Sequence, residues 1–188
     1  MQRLKYKKQN YYIIIPISIT YLNMCLGVVA IFVSSKGTIS HLKSGCLLVL
    51  LAAITDKLDG FVARKLDLAS ELGKQLDSLS DLVSFGIAPV FIGWTMKMYE
   101  LSFIEILLSI VFIGAGVFRL ARFNIMKDEG YIVGLPITLA GAILVAKYFL
   151  NLHFGYDVFH SSFMIYSNMI LLILLSFLMI SKILIKVR

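Results

Sequence analysis

The fold class this sequence predicts is an all-α integral membrane protein of six transmembrane helices, and three observations carry that prediction. The 188 residues are 59% hydrophobic and only 15% charged, with a mean hydropathy of +0.88. A soluble domain carries about 25% charge and about 45–50% apolar residues. Six apolar stretches are long enough, or nearly so, to cross about 30 Å of hydrocarbon as helices. Alternation at period two is absent, which argues against a membrane β-barrel.

The first stretch, Ile13–Ser34, follows a basic start and in that respect imitates a signal peptide. Its apolar run is too long for one, and no small-residue cleavage site precedes the next span, so it reads as the first transmembrane helix. The second, Ser40–Ala63, runs into an acidic segment, so its end projects beyond the bilayer or lines a cavity. Leu76–Trp94, Leu101–Leu120, Val133–Leu150 and Ser161–Ile183 complete the set. Lys36-Gly37-Thr38 and Lys127-Asp128-Glu129-Gly130 are turn signals between spans. No internal repeat or low-complexity linker is visible, and residues 1–188 read as a single domain. Cys25 and Cys46 both fall in apolar runs, so neither a disulfide framework nor a zinc site is implied.

The net charge of +7 does not point to nucleic acid, because in a membrane protein the location of basic residues matters more than their sum. With six spans both termini share one side. That side holds 14 of the 18 Lys and Arg residues, in four groups around the N-terminus, residues 57–74, residues 119–127 and the C-terminus. The other side holds Lys36, Lys43, Lys97 and Lys147. The positive-inside rule then places both termini and the acidic segment in the cytosol, with the chain multi-pass in the cytoplasmic membrane.

The acidic segment is the anomaly. Six of the 11 acids, Asp56, Asp59, Asp67, Glu71, Asp77 and Asp81, fall within it. A carboxylate at mid-membrane costs about 2.5–3.5 kcal/mol even on the gentlest scale. Asp56 and Asp59 are three residues apart and Asp77 and Asp81 four apart, spacings that put each pair on one helix face. Two such faces meeting across a helix pair converge four carboxylates, a hard-oxygen set suited to Mg²⁺ or Mn²⁺. Gly60 and Ala63 keep the first face low, and Arg64 offers a forked cation to a phosphate or to a carboxylate. Gly73, Asp77 and Asp81 form a small, polar stripe continued by Ser84 and Ala88. A helix end rich in Asp and Lys is often only a solvated face; eight residues in register over 26 positions make that reading inadequate here.

The string Asp56-x2-Asp59-Gly60-x2-Ala63-Arg64-x8-Gly73-x3-Asp77-x3-Asp81 resembles the signature of the CDP-alcohol phosphotransferases, with every position matched. The flanking strings Leu76–Pro89, Pro16…Thr20…Asn23…Gly27, Phe118–Asn124 and Gly134-Leu135-Pro136 resemble its phosphatidylserine synthase branch. The resemblance covers roughly residues 13–150. It implies transfer of a phosphatidyl group from CDP-diacylglycerol to the hydroxyl of L-serine with release of CMP, within the bilayer lipid and in a homodimer. By the family pattern two metal ions sit at the site: Asp56, Asp59 and Asp77 hold one, and Asp56, Asp77 and Asp81 the other. Asp81 is the implied general base. The CDP contacts implied are Asp56, Asp59, Gly60, Ala63, Arg64, Gly73 and Asp77.

Several readings stay open on the sequence. Arg64 faces phosphate or anchors the cytosolic interface, and Gly73 packs against the nucleotide or a neighbouring helix. Arg119 and Arg122, three apart at the cytosolic end of the fourth span, bind the serine carboxylate or a lipid phosphate, or else snorkel. Asn23 contacts the ligand or joins helices. Glycerol 3-phosphate or inositol phosphate as acceptor would share the aspartate signature. A metal or proton-coupled transporter would also bury carboxylates, but near mid-membrane and in two similar halves. An intramembrane prenyltransferase would carry its aspartates in two separate loops.

Overall fold

Where no water reaches the backbone, every N–H and C=O must be satisfied within the chain, and long apolar runs do this as helices. The computed structural model describes residues 2–65, 70–96, 103–126, 131–154 and 162–186, with side chains described at all of these except 2–16, 59, 62–64, 131–132, 162–165 and 184–186. Helices α1 (Gln2–Ser34) and α2 (Ile39–Lys65) form an antiparallel pair. The turn between them uses Gly37 at φ 68°, and the Thr38 carbonyl accepts from the Leu42 N–H at 2.8 Å as α2 starts.

The third apolar stretch forms one rod in three parts: α3 (Glu71–Asp81), a π-helical stretch (Leu82–Ile87) and α4 (Ala88–Thr95). The rod starts five residues earlier than the hydropathy pattern predicts, because Ser70 caps it by accepting the Gly73 N–H at 3.0 Å. The wide turn has a local cause in Pro89. Proline lacks an N–H, and its ring crowds the carbonyl four residues back, here that of Phe85. Adding one residue to the preceding turn relieves this, and the Ala88 N–H bonds back to the Val83 carbonyl.

Helix α5 (Phe103–Ile125) continues past Leu120. A short strand β1 (Tyr131–Val133) leads to α6 (Ile137–Phe154), and α7 (Ser162–Ile180) ends before strand β2 (Leu184–Lys186). The two strands pair antiparallel, with Ile132 opposite Ile185. This ribbon is the one departure from an all-α fold among the described residues, and it corrects the start of the fifth predicted span; the sixth ends as a helix at Ile180, three residues before its predicted end. Val133 belongs to the ribbon, Gly134 turns the chain at φ 76°, and α6 begins only at Ile137 after Pro136.

Within the bundle α1 packs on α2, α2 on α6 and α5 on α7, while the third rod runs against α1, α5 and α6. Phe85, Ile92, Phe112, Ile137, Leu144 and Met179 are fully buried between them. Gly141 of α6 backs directly onto the wide turn: a Cβ there would lie 2.6 Å from the Phe85 carbonyl oxygen. The outer faces carry Phe32, Leu51, Ile110, Phe118, Ile173 and Phe177, all exposed. Among the described residues five helices are long and apolar enough to cross a membrane, and in α7 the described apolar part, Tyr166–Ile180, is shorter. The chain is thus helical and multi-pass by the length and composition of its helices. Lys147, within the fifth predicted span, lies inside α6, where its ammonium donates to Ser167 Oγ at 2.9 Å and Asn168 Oδ1 at 2.7 Å on α7. Cys25 and Cys46 are both free.

Gly134→Ala should therefore lower the thermal unfolding midpoint in detergent. Its φ is positive, and a Cβ would meet the Met179 carbonyl at 2.5 Å and the Arg122 guanidinium at 2.7 Å, a cost of at least about 1–3 kcal/mol. Gly114→Ala is the control: nothing lies within 4 Å of its Cβ, and removing an interior helix glycine is expected to stabilise by about 0.5–1 kcal/mol.

Candidate active site

Asp56 lies near the end of α2, and Asp77 and Asp81 lie one turn apart on α3. Their helices bring one oxygen of each carboxylate within 4.8 Å of the others. Asp81 is 6% exposed, and Asp56 and Asp77 are half-buried. Asp56 and Asp81 are within hydrogen-bonding reach of each other. Like charges held this close repel, and a divalent cation between them turns the repulsion into attraction. The donor set is all carboxylate oxygen, the kind that Mg²⁺, Mn²⁺ and Ca²⁺ prefer. The cluster could hold such an ion. Asp59, Ala63 and Arg64 sit on the same stretch of α2, but their side chains lie outside the described residues, as does Asp67 altogether.

Asp56 and Asp81 are each steadied from another helix. The Thr138 hydroxyl, in the first turn of α6, donates to Asp56 Oδ2 at 3.2 Å. Asn23 of α1, fully buried, donates its amide to Asp81 Oδ1 at 3.4 Å. Asn23 is itself flanked by two ties between α1 and the third rod: Ser80 Oγ donates to the Thr20 carbonyl at 3.0 Å and Ser84 Oγ to the Asn23 carbonyl at 2.9 Å. Asn23 therefore both joins helices and touches the site. On the α5 side, the Asn124 amide donates to Ser78 Oγ at 2.9 Å and Gln75 Oε1 at 3.3 Å.

The two arginines of α5 have different surroundings. Arg122 donates to the carbonyls of Ile180 at 3.0 Å, Val133 at 2.8 Å, and Met179 and Ser181 at 3.2 Å. Three of these belong to the end of α7, where backbone carbonyls have no helical partner. Its guanidinium thus caps a helix. Arg119 is 7% exposed and interacts electrostatically with Asp81, Asp56 and Asp77. Its guanidinium carbon lies 5.2 Å from the centre of the Phe123 ring, and Nε is buried with no hydrogen-bond partner among the described residues. Lys74 reaches the same ring, with Nζ at 5.5 Å.

Gly60 is half-buried. At Gly73 a Cβ would meet only its own capping Ser70 Oγ at 3.0 Å, so among the described residues no neighbouring helix packs there. His41 and His153 are at helix ends remote from the cluster; His41 precedes Asp56 along α2 by about 22 Å at 1.5 Å per residue. The contact that sequence reasoning missed is Thr138. It pairs with a residue 82 positions away, and neither periodicity nor motif spacing registers such a pairing.

Fold and site define a multi-pass membrane protein with a carboxylate cluster between its helices. The family described as CDP-alcohol phosphatidyltransferase matches residues 13–180. The chain belongs to that family. It is 40% identical over 165 residues to a CDP-diacylglycerol–serine O-phosphatidyltransferase of Methanocaldococcus jannaschii, covering 88% of this chain and 70% of that protein. A Bacillus subtilis protein of the same name is 37% identical over 133 residues, 70% of this chain and 73% of its own length. An archaetidylserine synthase of Methanothermobacter thermautotrophicus is 36% identical over 149 residues, 77% of this chain and 61% of that protein.

Replacing Arg122 with Met should cost about 1.5–3 kcal/mol of stability, the range for hydrogen bonds to a charged group, since four carbonyls lose their donor. Thermal unfolding in detergent measures this. An unchanged midpoint would show that the cap contributes nothing.

Proposed function

We propose that this chain is a phosphatidylserine synthase, which transfers the phosphatidyl group of CDP-diacylglycerol to the hydroxyl of L-serine and releases CMP. The observation that carries this reading is the convergence of Asp56, Asp77 and Asp81 within 4.8 Å in a chain of this family. Serine as acceptor is supported by the relatives' names, which agree on serine and differ only in the lipid, phosphatidyl or archaetidyl. We further propose six spans with both termini in the cytosol, residues 1–188 as one domain, and a homodimer in the cytoplasmic membrane. The site then opens to the cytosol, where soluble serine meets a donor whose acyl chains stay in the bilayer.

In this reading Asp56, Asp59 and Asp77 hold one metal ion, and Asp56, Asp77 and Asp81 hold the second. When bound, the Mg²⁺ or Mn²⁺ pair neutralises the pyrophosphate and stabilises the attacking and leaving oxygens. The serine oxygen bonds to the phosphorus on the diacylglycerol side, and the phosphorus–oxygen bond to CMP breaks. Asp81 takes the hydroxyl proton. A carboxylate is a weak base for an alcohol, so the proton leaves late, as the new bond forms. The amide of Asn23 holds Asp81 in place for that role. Gly60 and Ala63 leave room for cytidine, Arg64 faces phosphate, and Gly73, with no helix against it among the described residues, lies along the nucleotide. Arg119 holds the serine carboxylate, because its buried guanidinium is beside the cluster while Arg122 is occupied by carbonyls.

Membranes containing the protein, given CDP-diacylglycerol and Mn²⁺ or Mg²⁺, should release CMP only when serine is added. Asp81→Asn should lower the rate by at least about 10²-fold, the lower end for loss of general-base catalysis. Consumption of glycerol 3-phosphate in place of serine would overturn the acceptor; consumption of neither would overturn the enzyme. Arg119→Ala should raise the KM for serine at least about tenfold while moving the KM for CDP-diacylglycerol little. The opposite pattern would assign Arg119 to the lipid phosphate.

A further inference from the structure

Hydroxyl groups in apolar helices usually satisfy themselves by donating to a carbonyl of their own helix, three or four residues back. In this chain Ser44, Thr55, Thr95, Ser109 and Ser176 all do so, at 2.7–3.0 Å. Thr138 does not. It is 9% exposed, and its hydroxyl crosses from α6 to α2 to donate to the Asp56 carboxylate. Ser80 and Ser84, which also bond outside their own helix, flank the same carboxylate cluster on the α1 side.

The backbone around Thr138 is built to hold it there. Gly134, at φ 76°, turns the chain out of the ribbon, and its N–H donates to the Ile183 carbonyl at 2.9 Å. The Leu135 N–H donates to the Leu178 carbonyl at 3.0 Å, and Arg122 grips the Val133 carbonyl just before the turn. Pro136 then opens α6, with its carbonyl accepting the Ala140 N–H at 3.0 Å. Thr138 is two residues further on, in a turn fixed from both sides. A hydroxyl donating to one carboxylate oxygen sets the rotation of the group, and with it the direction of the remaining lone pairs.

We infer that Thr138 is a positioning residue for Asp56, placed by the Gly134–Leu135–Pro136 turn, and that it sets the affinity of the carboxylate centre for its divalent cation. This rests on the proposed reading of Asp56, Asp77 and Asp81 as cation ligands. Partners of this kind, bonded to a ligand rather than to the ion, typically change metal affinity by about 10–100-fold when removed.

The test is Mn²⁺ binding to the purified full chain in detergent, without substrate, followed by the loss of the free Mn²⁺ electron paramagnetic resonance signal. Metal-free thermal unfolding is measured alongside. Thr138→Val, nearly isosteric but lacking the hydroxyl, should weaken Mn²⁺ binding at least about tenfold, with any fall in the metal-free midpoint reversed in Thr138→Ser. Thr138→Ser, which keeps the hydroxyl, should bind within about twofold of the parent chain; should Thr138→Val not fold, Thr138→Ala makes the same comparison. Binding by Thr138→Val equal to the parent, with binding lost in Asp56→Asn, would overturn the positioning role and leave the carboxylate centre standing. A lowered metal-free midpoint that Thr138→Ser does not restore would make Thr138 structural and overturn the inference. Undiminished Mn²⁺ binding by Asp56→Asn would overturn the carboxylate centre itself, and the inference with it.

Discussion

Three carboxylates held within 4.8 Å inside an apolar bundle are the constraint around which this protein is arranged. Two unit charges at that separation repel by about 3–4 kcal/mol at an effective dielectric near 20. A hydrogen bond to a charged group contributes about 1.5–3 kcal/mol net, less than one such repulsion, and three carboxylates make three repelling pairs, so the bonds from Thr138 and Asn23 orient the acids without offsetting their repulsion. Positive charge is needed for that. Arg119 supplies some, buried beside the cluster, and a divalent cation would supply more. The helices can then be understood by what each brings: α2 and α3 the acids, α1 and α6 the groups that steady them, α5 the guanidinium.

The second organising element is mechanical. The Arg122 guanidinium, the β1–β2 ribbon and the Gly134 turn fasten the ends of α5, α6 and α7 to one another. Helices whose outer faces meet only lipid have little hydrophobic reason to choose one packing over another, because lipid tails are as apolar as leucine. Polar ties between helices supply the missing specificity. They concentrate at the end of the bundle that holds the carboxylate cluster, and the Lys147 contacts to Ser167 and Asn168 are a separate tie between α6 and α7.

Much of this was legible in the amino-acid order. Helix positions follow from apolar length, and the pairing of Asp77 with Asp81 from a spacing of four. What was not legible has a common physical cause. The ribbon joins segments more than 50 residues apart, through backbone groups that carry no sequence label. The Thr138–Asp56 bond spans α2 to α6. Arg119 and Arg122 look equivalent in sequence, three apart at a helix end, yet one meets carboxylates and the other carbonyls because different neighbours pack beside them. Local pattern reports which face a residue occupies, and tertiary packing alone decides what it meets there.

The wide turn at Leu82–Ile87 has a further consequence. An α-helix advances about 100° per residue, so one residue inserted into a turn rotates everything beyond it by about that angle. Asp77 and Asp81 lie before the insertion; Ile92 and Gly93, packed inside the bundle with Gly93 against Tyr148, lie after it. The wide turn is therefore a phase shift between two halves of one rod. The half that carries the acids keeps the orientation that turns them toward Asp56, and the half beyond it is free to choose the orientation its apolar neighbours need. A strictly α-helical rod would have to serve both with one stripe, so that improving the packing at Gly93 would turn the acids away from Asp56.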